Sequence, residues 1–191
     1  GWRDLASLAG EDGIVVVSRA APIGLPADWE RVQGGVGHQM VLTSPLSGVP
    51  ELPHVDPETG EAVTMRPLST DDGEAMLALV GLAQPGPFRP RTYELGGYVG
   101  IFHADRLVAM AGQRMRPPGY CEISAVCTHP DARRRGYASI VTAAVARGAT
   151  TRGETPFLHV AETNVSARAV YERMGFVERA RVEFAVLRAR R

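Results

Sequence analysis

Residues 121–137, CEISAVCTHPDARRRGY, constrain this chain more than any other stretch. Positions 121–127 are short, mostly apolar and partly β-branched, the pattern of a strand buried on both faces. Thr128, His129, Pro130 and Asp131 break it, because proline has no N–H to give to a ladder. A polar segment with three arginines and a glycine follows. Apolar residues then recur at Tyr137, Ile140, Val141, Ala144 and Val145, one face of a helix. The spacing predicts a strand, a turn and a helix over roughly 135–152, with ARRRGYA at the helix N-terminus.

That junction has a definite chemistry. The first turn of a helix has N–H groups without partners and carries partial positive charge. Gly136 adds no Cβ and lets a ligand approach the backbone. Such a junction can hold a phosphate or pyrophosphate, and three adjacent arginines strengthen its field. A solvated basic turn ahead of an ordinary helix is the other reading of the same residues.

Arg133-x-x-Gly136-x-Ala138, after a strand ending in Val126-Cys127-Thr128, resembles the acyl-CoA-binding motif of the GNAT superfamily of N-acetyltransferases. The family pattern is Arg or Gln, two residues, Gly, one residue, then Gly or Ala. The likeness continues downstream in order. Phe157, Leu158, His159 and Val160 form a strand, Asn164 opens a helix, and Ala167, Tyr171 and Gly175-Phe176 close it. It covers the later part of the chain and says little about residues 1–60.

The resemblance implies a mixed α/β fold, a mixed β-sheet flanked by helices, with acetyl-CoA as acyl donor. It implies cofactor contacts from Val126, Cys127, Thr128, Arg133, Arg134, Arg135, Gly136, Tyr137, Ala138, Ser139, Asn164 and Tyr171.

Composition narrows the setting. The 21 basic and 21 acidic residues cancel, so no global field draws the chain to nucleic acid or to an anionic membrane. All the basic residues are arginine, so the chain cannot acetylate a lysine side chain of its own. Cys121 and Cys127 lie on one predicted strand about 20 Å apart, too far to bridge. With no signal-like apolar segment, this points to a reducing cytoplasm. No apolar run reaches a transmembrane length.

Taken in order, the chain divides at residue 60. Residues 1–60 read as a β-containing N-terminal appendage, with strands at 14–17 and 38–42 and Trp29 as a packing anchor. Four prolines between positions 44 and 60 (Pro45, Pro50, Pro53, Pro57) mark the end of the appendage as a linker. Residues 61–191 read as the acetyltransferase domain. A strand at 63–66 is stopped by Pro67. Ser69 or Thr70 then caps a helix whose apolar face holds Met76, Leu77, Val80 and Ala83.

Residues 84–92, QPGPFRPRT, are too proline-rich for regular structure. In the GNAT pattern the loop after the first helix walls the acceptor pocket, which makes Phe88, Arg89, Arg91 and Thr92 candidates to line it. A rigid surface loop is the alternative. Strands at 98–103 and 107–116 form a hairpin, and segments 176–177 and 184–187 finish as an antiparallel pair.

Amide formation from a thioester needs a neutral amine, stabilisation of negative charge on oxygen, and a proton for the departing thiolate. Glu122, on the central strand and facing away from Ile123, Ala125 and Cys127, is the candidate base. An arginine-paired structural glutamate is the competing reading. Glu162 and His103 are weaker alternatives as base.

The resemblance assigns the backbone N–H of Val126 to the thioester carbonyl and the hydroxyl of Tyr171 to the leaving sulfur. A core-edge tyrosine is the alternative for Tyr171. No spacing builds a metal site from Cys127, His129 and Asp131. The expected protein is an N-acetyltransferase acting on a small-molecule amine or a peptide N-terminus, with neither nucleic acid nor membrane as partner. A homodimer is among the states open to it. A catalytically silent acyl-CoA-binding module is the alternative.

Overall fold

The computed structural model describes residues 1–10 and 13–190. In chain order its first elements are helix α1 (Trp2–Ala9) and strands β1 (Ile14–Arg19), β2 (Trp29–Leu42) and β3 (Val63–Leu68). Helix α2 (Gly73–Ala83) and strands β4 (Tyr98–His103), β5 (Arg106–Gln113) and β6 (Tyr120–Thr128) follow. Helix α3 (Tyr137–Thr151), strand β7 (Thr155–Ala161), helix α4 (Val165–Arg173) and strand β8 (Phe176–Ala189) complete the chain. No helix among the described residues is long and apolar enough to cross a membrane.

Two compact units result, and neither is continuous in sequence. One comprises Gly1–Met40, His159–Arg168 and Glu178–Arg191; the other comprises Val41–Leu158 and Ala169–Val177. The sequence division expected at residue 60 is a single cut, whereas these units interleave. The reason lies in strand pairing. β1 runs antiparallel to β8, with Ile14 opposite Arg188 and Arg19 opposite Glu183, so the two ends of the chain share a ladder.

β8 is one continuous strand, not the expected pair of short ones. Positions 178–183, ERARVE, contain no Gly, Pro, Asn or Asp to turn the chain. The core of this first unit holds Ile23, Trp29, Ala185 and Leu187, covered by Trp2, Leu5 and Ala6 of α1. Trp29 is a packing anchor, its ring 5.4 Å from that of Trp2. Helix α1 was not among the predicted elements, although Trp2, Leu5, Ala6 and Ala9 fall at helical spacing.

The second unit orders its strands β7-β6-β5-β4-β3. β6 and β7 are parallel, with Tyr120 opposite Thr155 and Ile123 opposite Leu158, and α3 is their crossover. The other pairings are antiparallel. Pro67 does not stop β3, which continues to Leu68 with Pro67 opposite Val99. β3 is the last strand of that order, and an edge strand can present a missing N–H to solvent. Met76 and Leu79 of α2 pack with Tyr98, Phe102, Leu107, Met110 and Cys127.

The proline-rich segment 43–60 has no regular structure, yet it is tied down. Ser47 Oγ donates to the Arg173 carbonyl at 2.8 Å. Asp56 is fully buried and accepts the N–H groups of Glu58 and Thr59 at 2.9 Å each.

Ser69 begins a short 3₁₀ turn ahead of α2. Its hydroxyl accepts the Asp71 N–H, and Asp72 reaches back to the Ser69 N–H at 2.8 Å. Arg66 grips the same carboxylate through two bonds, at 2.9 and 2.7 Å, and lies 4.1 Å over the Phe102 ring. These bonds join β3 to the start of α2.

Hydrogen bonding from Arg66 is the main reason the Asp72 carboxyl is held down to about 2. A depressed carboxyl stabilises the fold above its unfolded value of about 3.9, and the contribution disappears as pH falls through the folded value. Unfolding by denaturant at a series of pH values is therefore expected to show Asp72→Asn less stable than wild type at neutral pH. The two curves should converge as pH approaches 2.

Candidate active site

The loop between β6 and α3 has the backbone of an anion cradle. His129 Nδ1 accepts the Asp131 N–H, and Pro130–Ala132 make one 3₁₀ turn. Arg133 is extended, Arg134 is left-handed at φ 65°, and Gly136 is left-handed at φ 78° as the residue that caps α3. Left-handed residues interrupting a turn direct successive N–H groups into one concavity. The dipole of a 15-residue helix adds to it. Gly136 is required twice over: its φ disfavours any side chain, and a Cβ there would stand 2.4 Å from Pro50 Cγ.

The three arginines of the motif divide. Arg133 and Arg134 are exposed. Arg135 turns inward to an ion pair with buried Asp56 and a second with Glu58. His103 Nε2 lies 3.5 Å from the same Asp56 carboxylate and 2.9 Å from the hydroxyl of Tyr137, in the first turn of α3. Burial lowers the His103 pKa, so the ring is neutral at physiological pH. Ser139 and Tyr137 are buried in the same helix start, Ala138 is half-buried, and the Thr128 hydroxyl oxygen is buried without a partner among the described residues.

β6 carries a bulge. Met110 lies opposite Cys127 and Gly112 opposite Ser124, so Ala125 and Val126 together face the single residue Ala111. Ala125 adopts φ 53°, rare for a residue with a side chain. The extra residue reverses the alternation. Residues directly opposite share a face, so Cys127 falls on the face of Ser124 and Glu122 and not on the opposite face expected from simple alternation.

On that face Glu122 is fully buried and bound by Arg114 through two bonds, Nε to Oε2 at 2.9 Å and NH2 to Oε1 at 2.5 Å. Tyr98, opposite Gly112, belongs to the same face. Burial pushes the Cys127 thiol up to about 12, which leaves little thiolate to act as a nucleophile.

Tyr171, near the end of α4, is 7% exposed and packs edge-on to Phe176 at 6.0 Å. Burial raises its hydroxyl well above the ordinary phenol value, the state required of a proton donor at neutral pH. Phe88, from the loop after α2, sets its ring edge-on to Tyr98 at 5.9 Å. Thr92 accepts the Arg89 N–H at 2.8 Å, and Arg91 is paired with Glu94 at 2.7 Å.

Asn164, in the first unit, accepts the Ala167 N–H at 3.2 Å and so caps α4. No group of three or more His, Cys, Asp or Glu among the described residues is arranged to hold a metal ion. Tyr98, Arg114 and Asp56 were not singled out in the sequence. Their roles depend on strand register and on a loop's path, and no local motif records either.

Comparison with known proteins bears on this arrangement. The family model described as FR47-like protein matches residues 98–185, from β4 into β8. A protein from Novosphingobium aromaticivorans assigned to the GNAT family of acetyltransferases is 33% identical, with TM-score 0.82 over 98% of this chain and 80% of that one. A GCN5-related N-acetyltransferase from Kribbella flavida is 25% identical, with TM-score 0.59 over 85% of this chain and 60% of that one. The ribosomal-protein-S18-alanine N-acetyltransferase of Escherichia coli shares the fold at 20% identity, with TM-score 0.55 over 68% of this chain and 95% of that one. Among curated proteins none matches.

Gly136→Ala should force either the loop or Pro50 to move. A side chain in the left-handed region typically costs about 1–3 kcal/mol, and the contact with Pro50 adds to it. Denaturant unfolding is expected to report a loss of at least that order.

Proposed function

This chain belongs to the GNAT family, and from that premise we propose that it transfers an acetyl group from acetyl-CoA to a primary amine by direct attack. The observation that carries the proposal is the juxtaposition of the loop with left-handed Arg134 and Gly136 at the start of α3 with the bulge in β6, the strand that runs straight into that loop. A helix N-terminus preceded by left-handed residues and a break in a ladder thus lie a few residues apart on the same covalent stretch, which supports this reading.

Acetyl-CoA, when bound, supplies an activated acetyl thioester. In this reading the N–H groups of residues 134–139 and the side chains of Arg133 and Arg134 hold its phosphates, and Arg135 shapes the loop through Asp56. Val126, Cys127 and Thr128 line the path along β6, and Tyr171 completes the cofactor contacts. The Val126 N–H donates to the carbonyl oxygen as negative charge gathers there. Phe88, Arg89, Arg91 and Thr92 wall the acceptor side. The acceptor is a small-molecule amine or a peptide N-terminus, since the sequence has no acidic run with which to grip a basic tail.

Glu122 takes the proton of the amine, directly or through a water, on the lone pairs that its two bonds to Arg114 leave open. Tyr171 gives a proton to the departing thiolate. The proposal is tested by thiol release from acetyl-CoA across amines, amino acids, polyamines and aminoglycosides. Calorimetric binding of acetyl-CoA with no turnover on any of them would favour a silent binding module instead.

Two substitutions probe the roles separately. Tyr171→Phe is expected to lower kcat far more than it lowers acetyl-CoA affinity, because a bond to the leaving sulfur matters only in the transition state. Wild-type turnover in this variant would make Tyr171 structural. Glu122→Gln should reduce the rate by roughly 10²–10⁴, with partial recovery at high pH where the free amine is abundant. A variant with a lowered melting temperature, a near-normal rate and an unchanged pH profile would instead make Glu122 the structural partner of Arg114.

A further inference from the structure

We propose that Tyr98 contacts the acceptor: its hydroxyl oxygen accepts a hydrogen bond from the amine N–H and orients the nitrogen over the bulge of β6. The inference deepens the N-acetyltransferase reading and rests on it.

The argument begins with strand register. Tyr98 on β4 lies opposite Gly112 on β5, which lies opposite Ser124 on β6, so the three form one row across the sheet on a common face. A Cβ at Gly112 would stand 2.3 Å from Tyr98 Cδ1 and 2.4 Å from Cε1 and Cγ. The tyrosine ring therefore lies across β5, in the space that any other residue at position 112 would fill. Neighbouring strands are about 4.8 Å apart, so a ring lying over the middle strand carries its hydroxyl towards the third.

That third strand is β6 at its bulge. The neighbouring row on one side holds the Arg114–Glu122 ion pair, and on the other side Met110 faces Cys127. Tyr98 is 3% exposed, and its hydroxyl is buried without a partner among the described residues. A buried hydroxyl with no partner destabilises a fold, so its place here calls for a group that arrives from outside.

The chemistry of the neighbours selects the group. Arg114 holds Glu122 in place for the proton, and the Tyr98 oxygen, with no partner among the described residues, is an acceptor open to an incoming N–H. Burial pushes the Tyr98 hydroxyl up to about 12, so it is neutral at working pH and does not lock the amine into an ammonium ion. Phe88 stands edge-on to Tyr98, and an apolar wall beside one polar atom suits an amine carried on a hydrocarbon stem.

The test is Tyr98→Phe in the full chain, which keeps the ring and removes only the orphaned oxygen. Three quantities are read with the amine that wild type acetylates best: melting temperature, acetyl-CoA affinity by calorimetry, and kcat/KM for the amine. The expected result is an equal or higher melting temperature, unchanged acetyl-CoA affinity, and kcat/KM lowered by roughly tenfold or more.

If kcat/KM stays within about twofold of wild type, the hydroxyl serves no substrate and the inference is overturned. Parallel losses of melting temperature, acetyl-CoA affinity and rate would make Tyr98 a structural residue and overturn it as well. A wild-type protein that acetylates no amine removes the N-acetyltransferase reading and this inference together. An active wild type with an equally active Tyr98→Phe removes the inference alone.

Discussion

The second unit depends on a broken ladder. Between Ser124 and Cys127, β6 carries one residue more than β5 can pair, and Ala125 takes up the excess in a left-handed conformation. Such a residue costs energy and persists only where the surrounding structure holds it. Here the supports are strong. β6 is bounded by antiparallel β5 and parallel β7, and it runs directly into the loop of α3. The bulge brings Cys127 onto the face of Glu122 and Tyr98, and it interrupts the regular pairing of β6 with β5. The chemistry proposed for the protein needs that interruption, because an N–H engaged in a ladder has no proton left for a substrate oxygen.

Buried ion pairs hold the rest in place. Asp56 pairs with Arg135 and accepts two backbone N–H groups, which fastens an irregular proline-rich segment to the cradle loop. Arg114 and Glu122 join the end of β5 to β6 beside the bulge. Burying two charges is expensive, and such pairs add little net stability, but breaking one leaves an uncompensated charge. Their effect is therefore geometric, because the loop and the strand are each held to one arrangement. Arginine suits that task through its planar, two-pronged guanidinium, and every basic residue of the chain is arginine.

Some of this was written locally, and the sequence by itself determined it. The β6–turn–α3 unit follows from periodicity and from residues whose preferences act over a few positions, and the Asn164 cap closes within the first turn of α4. Gly136 could be singled out for the same reason, since a left-handed cap tolerates little else. The capping of the 3₁₀ turn ahead of α2 by Ser69 and Asp72 is likewise local.

What only the tertiary structure decided involves partners far apart in the chain. The pairing of β1 with β8, the crossing of β5 by the Tyr98 ring over Gly112, the inward turn of Arg135 to Asp56 and the grip of Arg114 on Glu122 have no signature in any window of sequence. A bulge defeats pattern reading altogether, because one additional residue reverses every later side chain on the strand while leaving the composition unchanged. Local preference fixes which elements form, and long-range register fixes which side chains meet.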